Sequence, residues 1–192
     1  MLYDAAYFAN ILGETISAVD AISSATVLSQ IKADAFVVNS QSLLDLFIGN
    51  KAGCIGETSI LLILISFIFL LVTKIIDWRA PIAMIFTVFI CTFIAGAISA
   101  SSLQVGFEKG LLSLLTGGVM FGATFMVTDY ATTPVTKPGR LIFGFGCGLI
   151  TFLIRQFGGY PEGVMFSILI MNSIAPFLNN LTVRMYGYGR KK

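Results

Sequence analysis

After residue 57 the chain is dominated by five apolar runs, at 58–76, 81–98, 110–128, 141–154 and 163–181. A bilayer core about 30 Å thick takes about 20 apolar helical residues to cross. Inside it every backbone N–H and C=O must pair within the protein, so helices are the natural solution for runs of this length. The fourth run is short for a span; it is expected to recruit flanking residues or to sit where the protein is thin. Composition agrees, with 56% hydrophobic and 11% charged residues and a mean hydropathy of +0.89, whereas a soluble domain carries roughly a quarter charged residues. The reading is an all-α integral membrane protein with about five transmembrane helices over 58–183. A segment at 1–57 precedes them and a basic tail at 184–192 follows.

The first 57 residues carry Asp4, Glu14, Asp20, Lys32, Asp34, Asp45, Lys51 and Glu57 and hold no uncharged run long enough to cross a bilayer. They lack the basic start of a signal peptide. Phe36, Val37, Leu43, Leu44 and Phe47 recur with helical spacing over 34–48, which predicts an amphipathic segment at the membrane interface. Glycines at 117, 118 and 122 and at 144, 146 and 148 are expected to let helix backbones approach closely; a cofactor or ion against bare backbone is the alternative.

Loop charges orient the chain. Lys74 and Arg79, then Lys137 and Arg140, then Arg184, Arg190, Lys191 and Lys192 fall in alternate connections. The connections between them pair Lys109 with Glu108 and Arg155 with Glu162. The positive-inside rule puts the first set, including the C-terminus, in the cytoplasm and residues 1–57 on the extracytoplasmic side.

Several chemistries are disfavoured. The net charge of +2 does not suggest a nucleic-acid partner, and there is no histidine. Cys54, Cys91 and Cys147 lack metal-ligand spacing, so they read as buried thiols and no metal site is expected within the chain. A cluster shared with another polypeptide stays open.

Three polar clusters interrupt the apolar pattern. The first is Asp20-Ala21-Ile22-Ser23-Ser24-Ala25-Thr26, whose small residues leave the Thr26 hydroxyl accessible; alone, it also fits a plain serine/threonine turn. The second, 49–59, holds Gly53, Gly56, Glu57, Thr58 and Ser59 ahead of the first span, and reads either as an anion-compatible helix start or as an interfacial turn with a cap. The third, 128–140, holds Asp129 at the end of a glycine-lined span, a candidate ion or cofactor contact or else a simple connection.

In this order the clusters resemble a known family. D-A-I-S-S-A-T, L-F-I-G-N-K-A-G-C-I-G-E-T-S, K-I-I-D-W-R-A-P, F-M-V-T-D-Y-A-T-T-P-V-T-K-P-G-R and F-G-G-Y-P-E-G-V-M-F-S-I-L-I-M-N resemble the D-type subunit of the Rnf complex, an ion-translocating ferredoxin:NAD+ oxidoreductase. They are similar, more distantly, to the B-type subunit of the sodium-translocating NADH:quinone reductase. The resemblance implies a membrane flavoprotein that carries FMN through a phosphoester on Thr26, added on the outer side of the membrane by a flavin transferase. It implies electron relay among A-, B-, C-, E- and G-type Rnf subunits, coupled to Na+ or H+ movement in the inner or plasma membrane, and no activity alone. Gly53, Gly56, Thr58, Ser59, Gly159 and Tyr160 are the expected flavin surroundings, and Glu57 and Asp129 the acids expected to couple to the ion. Ser24 stands where the motif usually has glycine. Chains of this family have about twice as many spans, in two related halves, so this one is expected to represent the second half, as a fragment, a truncated product or one part of a split protein. A cofactor-free channel or transporter module is the competing expectation.

Overall fold

A computed structural model of the chain describes residues 40–49, 56–160 and 162–185. Among them every regular element is helical: α1 Ser40–Ile48, α2 Ile60–Val72, α3 Arg79–Ala100, α4 Leu103–Leu115 and α5 Val119–Phe121, which runs into a π-helical turn at Gly122–Met126, then α6 Lys137–Phe157 and α7 Val164–Met185. The segment expected to be amphipathic overlaps α1, where Leu46 is buried and Leu44 and Ile48 face outward; residues 34–39 lie outside the described part.

Local chemistry sets the ends. Ser59 is extended and its Oγ accepts from the Leu62 amide at 3.5 Å, starting α2. At the other end of α2 the Lys74 amide donates to Leu71 O (3.0 Å) and the Ile75 amide to Leu70 O (3.1 Å). This is the paired lock that usually places glycine in the left-handed position; here Lys74 occupies it at φ +56°. Pro138 lies in the first turn of α6, where its missing N–H costs nothing.

α3 is the spine, packed on α4 along one side and α6 along the other, with α7 against α6. The α6 contact depends on small residues. A Cβ at Gly144 would collide with the Ala80 carbonyl oxygen, and one at Gly148 would lie 2.8 Å from Met84 O. Gly146, between them, faces Met171 of α7 instead. One core gathers Met84 and Val88 of α3, Val119 and Ala123, Phe143 and Cys147 of α6, and Ile168 and Met171 of α7. A second joins Leu46, Ile60, Ile63, Leu112, Leu115 and Met120. Within the bundle hydroxyls bond to nearby groups: Thr151 donates to Cys147 O (2.7 Å) and pairs with Ser167 Oγ (2.8 Å).

The outside is apolar as well. Ile65, Ile68, Phe69 and Val72 of α2 and Phe166, Leu169 and Phe177 of α7 are all more than half exposed. In water such faces would be a liability, whereas lipid accepts them. By length and composition α3 and α6 can each cross a bilayer, and α4 together with Val119–Met126 makes a third if the bent pair is one span. Ile60–Val72 and Val164–Asn180 are shorter apolar helices. The chain is thus a multi-pass helical membrane protein.

The apolar run at 110–128 does not form one straight helix. α4 begins at Leu103, stops at Leu115, and the chain resumes at Val119 bent by 64°. Thr116 is extended and Gly117 is left-handed at φ +67°, a conformation that β-branched and bulky residues resist. α6, by contrast, extends past the apolar run 141–154 at both ends.

Candidate functional site

The break between α4 and α5 exposes helix termini inside a membrane bundle, and two charged side chains satisfy them. The last carbonyls of a helix and the first amides of the next have no partners within the helix. Arg155 of α6 reaches the α4 end, with Nη1 donating to Ser113 O (2.8 Å) and Nη2 to Thr116 O (3.3 Å). Arg155 Nη2 also pairs with the Glu162 carboxylate at 3.0 and 3.1 Å. That carboxylate accepts from the Gly118 amide at the start of α5 (3.0 Å) and from the Gly163 and Val164 amides at the start of α7 (3.2 and 3.4 Å). One ion pair therefore caps three helix ends, with each charge opposed to the local dipole. The Arg155 side chain is 10% exposed.

This knot brings together two regions singled out in the sequence. Glu57 reaches Gly118 from the turn before α2: its Oε2 lies 2.8 Å from where a Gly118 Cβ would stand. Gly56, left-handed at φ +92°, faces the Phe121 ring. Gly159 has open space where a side chain would be, and the exposed Tyr160 ring lies 6.0 Å from that of Phe166. So the turn at 56–59 and the loop that holds Gly159, Tyr160 and Glu162 meet across Gly118 and form one end of the bundle, here termed the glycine-turn end. Thr26 and Gly53 lie outside the described residues.

Asp129 is elsewhere. It follows the π-helical turn, where Oδ2 accepts from the Thr132 hydroxyl (2.9 Å), and it lines a cavity together with the loop after α2. Glu57 precedes α2 and that loop follows it, so the length of α2, about 20 Å, separates the two carboxylates. They do not form one site.

The cavity marks the opposite end, here termed the basic end. It encloses about 500 Å³ and is lined by Lys74, Asp77, Trp78, Arg79, Asp129 and Arg140 among others. Asp77 Oδ2 accepts from Arg140 Nη1 (2.6 Å) and Arg79 Nη1 (2.8 Å), while Oδ1 takes the Arg79 amide (3.2 Å). Burial pushes the Asp77 carboxyl upward, but these donors outweigh it and hold the group below its ordinary 3.8. Arg79 also lies 5.3 Å from the Trp78 ring centroid. The connections containing Lys74 and Arg79 and containing Lys137 and Arg140 thus share one end of the bundle.

In the sequence Arg155 and Glu162 read as mutually balanced loop charges, and Arg79 and Arg140 only as topology markers. A glutamate just before a helix start is the available signal for Glu162. Nothing local pairs Asp77 with Arg140.

The NQR2, RnfD, RnfE family matches residues 4–187. The chain is 41% identical over 176 residues to the D-type subunit of the Na+-translocating ferredoxin:NAD+ oxidoreductase complex of Acetobacterium woodii, covering 90% of this chain and 52% of that one. It is 37% identical over 182 residues to the D-type subunit of the ion-translocating oxidoreductase complex of Stutzerimonas stutzeri (89% and 49%). With the B-type subunit of the Na+-translocating NADH-quinone reductase of Chromohalobacter salexigens it shares 36% over 183 residues (93% and 44%). The chain spans about half the length of the curated relatives it matches. With its helical bundle and a match along nearly its whole length, the chain belongs to the NQR2, RnfD, RnfE family.

Proposed function

We propose that this chain is a flavoprotein component of a membrane electron-transport complex of the Rnf type, ferredoxin:NAD+ oxidoreductase coupled to Na+ or H+ translocation, with FMN attached covalently to Thr26. The observation that carries the reading is the D-A-I-S-S-A-T stretch ending on Thr26 in a chain 41% identical to the D-type component of a Na+-translocating ferredoxin:NAD+ oxidoreductase complex. The residues present suit the group. A phosphoester needs a hydroxyl acceptor, which Thr26 supplies by residue type, set among small neighbours in the sequence. The open backbone at Gly159 and the exposed Tyr160 beside Phe166 suit a planar aromatic ring. Bound flavin would supply the electron chemistry, and the protein would supply position and electrostatics. Around it Gly56, Thr58 and Ser59 would form a turn, with Gly53 preceding it.

The partners follow from the same reading: Rnf subunits of the A, B, C, E and G types, and a flavin transferase for maturation. Thr26 would lie on the extracytoplasmic side and the C-terminus in the cytoplasm. The gathering of Lys74, Arg79 and Arg140 at one end supports that orientation. Glu57 and Asp129 remain the acids proposed for ion coupling, each acting at its own end of the bundle.

A second reading, a cofactor-free channel or carrier, draws support from the 64° break followed by a π-helical turn, because broken helices often line transport sites. One experiment separates the two. The chain is co-expressed with a flavin transferase and its intact mass is measured. Addition of one FMN, abolished in Thr26→Ala, is expected; an unmodified wild-type chain overturns the flavin assignment. A cysteine introduced beside Thr26 is expected to react with an impermeant reagent from outside the cell, and labelling from the cytoplasm alone overturns the orientation.

A further inference from the structure

The cavity at the basic end, which Asp129 lines, has further features that neither the flavin nor the ion reading uses. Its charged lining is three cations, Lys74, Arg79 and Arg140, against two carboxylates, Asp77 and Asp129, an excess of one positive charge. Asp77 is shared by both arginines, and Asp129 is engaged by the Thr132 hydroxyl. Lys74 has no ion-pair partner among the described residues. It also holds a left-handed backbone at φ +56°, where glycine would be relaxed and a side chain carries strain of about 1 kcal/mol. The fold thus keeps a lysine at a position whose backbone favours glycine, on the rim of a cationic cavity.

The cavity is not purely polar. Ile75 (66% exposed) and Trp78 (50% exposed) stand at its edge, and the side of α2 that lines it, at Leu71, continues along the helix to the exposed, apolar Ile68. A ligand that fits has an anionic head for Lys74 and the arginines and an apolar tail that can continue along α2. Tryptophan at such a boundary is typical of the membrane interface, and basic pockets between membrane helices hold acidic headgroups.

We propose that this cavity binds the phosphate-bearing headgroup of an anionic phospholipid, with Lys74 as the cation that selects it and the acyl chains lying against α2. The site is independent of Thr26 and stands whether or not a flavin is attached there.

Trp78 is the chain's single tryptophan and lines the cavity, so its fluorescence reports on this site. The full chain is reconstituted with phosphatidylglycerol or phosphatidylcholine brominated in the acyl chains, and quenching of Trp78 is titrated. Phosphatidylglycerol is expected to quench at lower mole fraction. Lys74→Gly, which relaxes the left-handed turn while removing the charge, is expected to weaken the phosphatidylglycerol preference about fivefold without lowering the melting temperature. Lys74→Gln, which keeps a side chain, should do the same to binding. Equal quenching by the two lipids overturns the proposal, as does a preference that survives both substitutions. Loss of the preference on adding inorganic phosphate, where chloride at the same ionic strength leaves it intact, also overturns it, since the occupant is then soluble phosphate.

Discussion

At the glycine-turn end the charges are consumed by the backbone, whereas at the basic end they are turned toward a cavity. Arg155 and Glu162 cap the termini of α4, α5 and α7. Asp77 instead ties two arginines from different helices beside an open volume. The contrast follows from where the chain breaks. A helix interrupted where other helices pack around it leaves amides and carbonyls largely shielded from water, so charged side chains are drawn in to satisfy them. The connections at the basic end border an open cavity, and Lys74 there remains available to a ligand.

The strongest way to break this comparison is to remove Arg155. Arg155→Met leaves Glu162 without its counter-charge and the Ser113 and Thr116 carbonyls without donors. Arg155 is 10% exposed but Glu162 is 34% exposed, so solvent screens part of the loss and a cost of about 2–4 kcal/mol is expected, below that of breaking a fully buried pair. A large drop in melting temperature in detergent is expected, with Arg155→Lys intermediate because an ammonium cannot span the carbonyls and the carboxylate as a planar fork does. An unchanged melting temperature in Arg155→Met would show that the bend holds without the ion pair.

Gly144 and Gly118 set a second, smaller contrast. A methyl at Gly144 meets the Ala80 carbonyl, which is backbone and cannot step aside. A methyl at Gly118 meets the Glu57 carboxylate, the far end of a flexible side chain. Gly144→Ala is expected to cost about 1–3 kcal/mol through forced helix separation, and Gly118→Ala about 0.5 kcal/mol or less. Thermal melts of the two variants side by side check the ranking; a costlier Gly118→Ala would mean that Glu57 is fixed in place.

The helical membrane class was legible because long apolar runs admit few folds, and the close approach at Gly144 and Gly148 was legible because small residues four apart share a helix face. The bend was not. Gly117 and Gly118 sit in an apolar run and look like packing glycines, and only the left-handed backbone at Gly117 distinguishes them. By sequence, Gly56, Thr58 and Ser59 belong beside Gly159 and Tyr160, and Glu57 with Asp129. The turn at 56–59 and the loop holding Gly159 and Tyr160 do share one end, but the link between them, Gly118 with Arg155 and Glu162, depends on that bend. The contact of Asp77 with Arg140 spans 63 positions and leaves no periodic trace.

The smallest expected effect concerns pH at the basic end. Asp77 is held below its ordinary 3.8 in the folded chain by the Arg79 amide and the Arg140 and Arg79 guanidiniums, against the opposing push of burial. A carboxylate whose folded value lies below its unfolded one binds protons more readily when unfolded. Its contribution to stability is therefore fully present above the unfolded value and is lost as pH falls from about 4 through the folded value. The other carboxylates titrate in both proteins, so the difference in melting temperature between wild type and Asp77→Asn isolates this group. That difference, followed through Trp78 fluorescence in buffers from about pH 6 to pH 3, is expected to be constant at the upper end and to shrink toward the lower. A difference that stays constant throughout would mean that Asp77 binds its arginines no better charged than neutral, and the basic end would then owe its arrangement to shape and not to charge.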